Sequence, residues 1–309
     1  MERVAFFGTP EFAVPALDAL CESGRRPLLV VSQPARPAGR GRELRDPPVA
    51  SWAKARGLEV VQPAKTRTRR FRQSIETLDL DLAVVVAYGE ILTPQLLSAP
   101  RFGFVNVHAS LLPRYRGAAP IQAAIAAGDE VTGVTIIQVE SGLDSGPILL
   151  RREVAILPGE TTAELAPRLA RAGAALLLAT LDRLEVGDLV PHPQDSRLAT
   201  YAPRLVRRDG IVDWSRTAGA LYDLLRAYTP WPGLTAELEG ETIKLLAFQP
   251  LASVEVEIRI GRVLGTEADA VIVGCGSGTA LRLELVQRPG RGPVSGAEWA
   301  RSLAGPGPD

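Results

Sequence analysis

Short apolar runs recur through the first half of the chain: VAFFG at 4–8, LLVVS at 28–32, LEVVQ at 58–62, LAVVVAYG at 82–89, GFVNVH at 103–108 and GVTIIQV at 133–139. Most are continuously apolar rather than alternating, which is the pattern of strands buried on both faces. Between them, segments with helical character lie at 10–21, 94–97, 119–127 and 161–184. This alternation predicts an α/β fold with a doubly wound, mostly parallel sheet. The pattern breaks over 191–210, PHPQDSRLATYAPRLVRRDG, where prolines, polar residues and charge replace the apolar runs. The reading is therefore a first domain at 1–190, a linker at 191–208 and a second domain at 209–309. Beyond a helical stretch near 217–227, short β-like runs punctuated by glycines predict a small barrel, and the closing GPGPD is expected to fray.

Composition narrows the class. A chain of 309 residues with 46% hydrophobic content sits near the size at which one core gives way to two. The opening MERVAFFGTPEF lacks the features of a signal or transit peptide, and no stretch approaches a membrane span, so a soluble cytoplasmic protein is expected. Two cysteines and two scattered histidines argue against a disulfide framework or a structural zinc site, and no metal is expected. Charge is balanced at 35 basic and 35 acidic residues, but unevenly placed. Residues 33–72 hold eleven Lys/Arg against three acids. Within that block, QPARPAGRGRELRDPP at 33–48 carries four arginines, and KTRTRRFR at 65–72 carries five basic residues in eight. Such stretches are either solvated basic faces or surfaces that follow a phosphate backbone, and two of them beside one candidate site favour the second.

That candidate site is the end of the fifth apolar run, where Asn106 and His108 precede the turn-like SLLP at 110–113. In an open parallel sheet, ligands bind beyond the carboxyl ends of strands. An asparagine amide donates hydrogen bonds without titrating, which suits an oxyanion that exists only in a transition state. A histidine can move a proton between an attacking amine and a leaving group. Asp144, in ESGLDSG after the sixth run, is placed to neighbour them. Asn, His and Asp without a nucleophilic Cys or a GxSxG serine point to direct acyl transfer. Each has a structural alternative as well: a hydrogen-bonded histidine, an asparagine cap, an aspartate in a turn. No GxGxxG or GxxxxGK[ST] motif is present, so nothing argues for NAD or ATP.

The stretches NVHASLLPRYRGAAPIQ, FFGTPEFAVPAL, SQPARPAGRGREL, VVAYGEIL, GVTIIQVESGLDSG, TYAPRLVRRDGIVDWS and RAYTPWPG together resemble the methionyl-tRNA formyltransferase family. The similarity runs from about residue 3 to 246. The resemblance implies a Rossmann-like catalytic domain followed by an OB-like β-barrel. It also implies transfer of formyl from 10-formyltetrahydrofolate to the α-amino group of methionyl-initiator tRNA, in support of translation initiation. Carried over by position, Asn106 would bind the formyl oxygen, His108 would help move protons, and Asp144 would hold His108. Ser110, Leu111, Leu112 and Pro113 would line the folate pocket, with Tyr88, Gly89, Ile91 and Leu92 near the pterin. Arg36, Arg40, Arg42 and Arg45 would reach the tRNA acceptor end, and Arg288 and Arg291 would extend that contact. Glu43 and Gly292 stand where the family often carries basic residues, leaving Arg45 and the cluster at 65–72 as the compensating charge. A monomer is expected. A formyltransferase for another amine, a formyltetrahydrofolate hydrolase, and an RNA-binding protein with a degenerate site are the competing readings.

Overall fold

The computed structural model describes residues 1–38, 41–251 and 257–303. Two compact units emerge. The first comprises Met1–Pro120, Val131–Ala155 and Leu165–Arg204; the second comprises Ile121–Glu130, Ile156–Glu164 and Leu205–Asp309.

The first unit is built on seven strands: β1 (Val4–Gly8), β2 (Leu29–Val31), β3 (Val60–Val61), β4 (Leu82–Val86), β5 (Phe104–His108), β6 (Val131–Gln138) and β7 (Ile148–Ala155). Their spatial order is 7-6-5-4-1-2-3. The pairs β1/β2, β2/β3, β1/β4 and β4/β5 are parallel, whereas β6 is antiparallel to both β5 and β7. This is the doubly wound Rossmann-like order, with its switch point between β1 and β4, as the apolar runs predict. β1 and β2 are buried throughout, and β4 at all but one position, because helices cover both faces. Phe7 meets Phe71, Tyr88 and Phe104 at centroid distances of 6.4, 5.5 and 5.2 Å, which sets an aromatic cluster at the centre of one face.

Three elements were hidden in the sequence. β7 is an edge strand whose Arg151, Arg152 and Glu153 are exposed; charge on an edge discourages pairing with other chains and conceals the strand. Helix α2 (Pro48–Ala55), which follows α1 (Val14–Glu22), starts on a proline at a position that needs no N–H. Helix α3 (Arg69–Glu76) carries much of the second basic cluster; Thr68 caps it by accepting from Phe71 N at 3.2 Å, and Phe71 and Ile75 are its buried side. The helices α4 (Pro94–Leu97), α5 (Pro120–Ala126) and α6 (Thr162–Glu185) fall within a residue or two of their expected places. The proline- and arginine-rich stretch is partly ordered as a two-stranded ribbon, with Arg36 opposite Arg45 and Pro37 opposite Leu44. Its feet are tied: Gln62 Nε2 donates to Gln33 O and to Asp46 Oδ1, both at 3.0 Å, and Lys54 Nζ donates to Asp46 Oδ2 at 2.6 Å. The Lys54 bond holds the Asp46 carboxyl below its ordinary range.

The segment expected to act as linker is, over 192–202, built into the first unit. His192 bridges Ile148, and Tyr201–Ala202 pairs in parallel with Arg116–Gly117.

The second unit holds helix α7 (Ala218–Tyr228), six strands and helix α8 (Gly296–Leu303). The strands are β8 (Leu234–Leu238), β9 (Glu241–Leu251), β10 (Val263–Thr266), β11 (Val271–Gly274), β12 (Ala280–Gln287) and β13 (Pro293–Ser295). They form one antiparallel sheet in the order 8-9-12-11-10, with β13 also on β12. Its core is aliphatic, with Phe248 and the fully buried Trp299 as its largest members. The antiparallel sheet agrees with the expected barrel-type domain, although among the described residues no pairing of β8 with β10 closes it.

One ion-pair cluster fastens the end of α6. Arg25 Nη2 meets Asp182 Oδ1 at 2.6 Å and Glu185 Oε2 at 2.9 Å, and this holds the Glu185 carboxyl down at about 2. A carboxyl lowered from 4.5 in the folded state contributes stability that is complete above about pH 4.5 and is lost as pH falls through about 2. The gap in urea midpoint between the wild type and Glu185→Gln is therefore expected to be constant above about pH 5 and to narrow on acidification.

Candidate active site

Strand β5 runs apolar to Val105 and then alternates, so Asn106 and His108, two residues apart, project from the same face of the sheet at its carboxyl end. His108 is 5% exposed. Its Nε2 lies 2.9 Å from the carbonyl oxygen of Tyr115. A carbonyl only accepts, so Nε2 carries a hydrogen and donates it there, and Nδ1 is the nitrogen left facing Asp144 Oδ2, 3.6 Å away. Asp144 also accepts from Asn106 Nδ2 at 3.4 Å and from the backbone N–H of Gly117 at 2.8 Å. One carboxylate thus gathers the strand end, the loop after it and its own loop between β6 and β7. The three residues singled out from sequence come together, with the shortest bond to the Asp144 carboxylate coming from Gly117 rather than from His108.

The turn at 110–113 is fixed internally. Ser110 Oγ donates to Arg114 O at 2.6 Å, Thr135 Oγ1 donates to Ser110 O at 2.6 Å, and Leu112 N donates to Thr135 Oγ1 at 3.1 Å. The Leu112–Pro113 peptide is cis. Ser110 and Leu112 are fully buried, while Leu111 and Pro113 are half-buried and present surface. Among the residues expected near a pterin, Tyr88 is buried in the aromatic cluster, and burial pushes its hydroxyl pKa well up. Its carbonyl accepts from Thr9 Oγ1 at 2.9 Å and from Gln33 Nε2 at 3.0 Å. Gly89 takes a φ of 85°, Leu92 packs at the cluster edge, and Ile91 is 80% exposed. An apolar side chain so exposed, on a loop beyond a β-strand, is available to a ligand.

Of the arginines, Arg36 donates to Gln33 Oε1 at 2.6 Å, Arg45 is 3.8 Å from Glu43, and Arg42 is exposed with a φ of 51°. Arg40 lies outside the described residues. Arg288 is bidentate to Glu241 at 2.7 and 3.2 Å, and Glu241 also accepts from Trp299 Nε1 at 2.9 Å. Arg291 is exposed. A cavity of about 480 Å³ opens at the other end of β5, lined by residues including Leu97, Phe102, Val105, Gln138 and Leu184, and shares no lining residue with the Asn106, His108 and Asp144 group.

Residues 2–181 match the family described as formyl transferase, and residues 204–304 match its C-terminal domain. A methionyl-tRNA formyltransferase of Anaeromyxobacter dehalogenans is 47% identical over 97% of this chain and 97% of its own length. The chain belongs to the methionyl-tRNA formyltransferase family. A relative of that name from Geobacter metallireducens is 44% identical over 96% of this chain and 94% of its own. An N-formyltransferase from Helicobacter canadensis, solved with folinic acid and dTDP-3-aminofucose, has a TM-score of 0.69 at 15% identity, covering 92% of this chain and 99% of that one. HypX from Aquifex aeolicus, solved with tetrahydrofolic acid, gives 0.58 at 18% identity over 97% of this chain and 46% of that one. These solved structures share the fold. The family and the enzyme class read from the motifs hold.

Sequence reasoning missed Gly117, Thr135, Gln194 and Thr200 as parts of this assembly. Only Gly117 left a signal, as a glycine among bulkier residues in RYRGAAP. Its φ is 119°, and a Cβ there would meet Ala202 O at 2.6 Å. Gly117→Ala is expected to cost about 1–3 kcal/mol of folding stability, measured by urea unfolding, because strain and clash combine where the backbone has no room.

Proposed function

We propose that this protein transfers the formyl group of 10-formyltetrahydrofolate directly to the α-amino group of methionyl-initiator tRNA, in support of translation initiation. The observation that carries the chemistry is the convergence of Asn106, His108 and Asp144 on one strand end. The amine attacks the formyl carbon, a C–N bond forms, and negative charge develops on the formyl oxygen. Asn106 Nδ2 has two hydrogens and gives one to Asp144, which leaves the other for that oxygen. The amine proton is lost, the bond between the formyl carbon and N10 of the folate breaks, and N10 takes up a proton. His108 has Nε2 committed to Tyr115 O, so proton transfer runs through Nδ1 and the carboxylate beside it. No acyl-enzyme is needed: among the described residues no cysteine lies at the site, and the Ser110 hydroxyl is committed to Arg114 O.

The half-buried Leu111 and Pro113, together with the backbone of 88–92 and exposed Ile91, are the surface for the folate; Ser110 and Leu112 shape that turn from within. The ribbon bearing Arg36, Arg42 and Arg45, along with Arg40, and the basic residues of 65–72 supply the charge for the acceptor end of the tRNA. Arg291 is the exposed arginine of the second unit that extends the contact, while Arg288, paired with Glu241, contributes less net charge. Among the described residues no helix is long and apolar enough to cross a membrane, and a cytoplasmic monomer is the state we assign.

The test is transfer of radiolabelled formyl from 10-formyltetrahydrofolate to methionyl-initiator tRNA, with uncharged tRNA and free methionine as controls. Product on the charged tRNA alone supports the reading; release of formate without product would replace it with a hydrolase. Asn106→Ala is expected to lower kcat by about 10²–10³-fold with tRNA binding retained. Binding of tRNA should weaken steeply as salt rises, and a flat salt response would remove the ribbon from the interface.

A further inference from the structure

Gln194 lies 50 residues from Asp144 in the chain, within the stretch that reads as linker, yet its side-chain amide is wholly engaged around that residue. Its Nε2 donates to the carbonyl oxygens of Asp144 and Gly146 at 2.8 and 2.7 Å. Its Oε1 accepts from Nε and Nη2 of Arg116 at 3.1 and 2.8 Å. Carbonyls only accept and a guanidinium only donates, so the amide has one orientation that satisfies all four bonds. Arg116 is 6% exposed. A desolvated guanidinium polarises the amide it donates to, and this strengthens the amide's own donors in turn. The bonds therefore run from a buried positive charge, through Gln194, to the backbone of the turn that presents Asp144.

That turn requires an external hold. Asp144 has a φ of 46°, in the left-handed region that a residue with a Cβ occupies only at an energetic cost. Left to relax, the turn would carry the carboxylate away from Asn106 and His108. The same chain segment also braces the other side of the site. Thr200 Oγ1 accepts from Tyr115 N at 2.8 Å and Thr200 O accepts from Arg116 N at 2.8 Å. These bonds flank Tyr115 O, which holds His108, and Gly117 N, which holds Asp144.

We propose that Gln194 is a positioning residue for formyl transfer: by clamping the carbonyls of Asp144 and Gly146 to buried Arg116, it sets the distance between the Asp144 carboxylate and His108. The proposal rests on the catalytic reading given above. It does not require Gln194 to touch either substrate.

Gln194→Glu separates positioning from packing. The side chain keeps its size and gives Arg116 a carboxylate partner, so folding is preserved. Both donors to the turn are lost, and a carboxylate now faces two carbonyl oxygens. The full-length variant is expected to remain folded, with a melting temperature within a few degrees of wild type, and to keep its KM for methionyl-initiator tRNA within about two-fold, while kcat falls by about 10- to 100-fold. Its pH–kcat profile is expected to move relative to wild type, because the carboxylate that faces His108 Nδ1 has changed position. Gln194→Met, of similar size but without hydrogen bonds, should show the same loss of kcat. Wild-type kcat and pH profile in both variants would overturn the proposal, as would losses of activity that merely track the folded fraction. Absence of formyl transfer by the wild type itself is a distinct result, which would overturn the catalytic reading and this inference together.

Discussion

The carboxylate of Asp144 meets the amide of Asn106 and the ring of His108, both at the end of β5, and the backbone N–H of Gly117 in the loop that follows. A half-buried carboxylate is held in this position by the donors that supply its oxygens. That constraint reaches outward. Gly117 must approach closely, so the loop after β5 has to lie flat against Ala202; the segment around Ala202 must be present, so the chain beyond α6 has to return across the site. The sheet order supplies the platform: β6 runs antiparallel to β5 with His108 opposite Thr135 and Val105 opposite Gln138, so the loop after β6 leaves from the amino end of β5 and reaches back to bring Asp144 to Asn106 and His108.

Much of the fold was legible because the physics of a parallel sheet is local in sequence. Strands covered on both faces cannot carry polar residues, so β1, β2 and β4 announce themselves as apolar runs. The elements that stayed hidden are those whose environment is decided elsewhere. β7 is half solvated and reads as a charged loop; α3 hides a two-residue apolar stripe among arginines; the arginine ribbon pairs through its backbone, which side chains do not advertise.

The site divides in the same way. Asn106 and His108 share a strand, and strand periodicity puts them on one face, so their partnership could be argued from spacing. Asp144 was tied to them by an argument about where the next loop must fall. Gln194 and Thr200 act through bonds of long sequence separation, and Tyr115 acts through a carbonyl that every residue type possesses. No pattern of residue types encodes such a contact. The arginines show the opposite limit: Arg288 looks like a surface cation in the sequence but is engaged by Glu241 and Ser302 in the fold.

Two glycines bear on how such a site can diverge. At Gly146 a Cβ would lie 1.8 Å from Gln138 O, and at Gly117 one would strike Ala202 O. The loops around Asp144 are therefore held by main-chain proximity, which restricts what evolution or design can write there. The arginine ribbon is exposed and joined to the sheet unit through a few side chains at its feet. Sequence is free to drift in the exposed ribbon, while the main-chain geometry around Asp144 stays frozen.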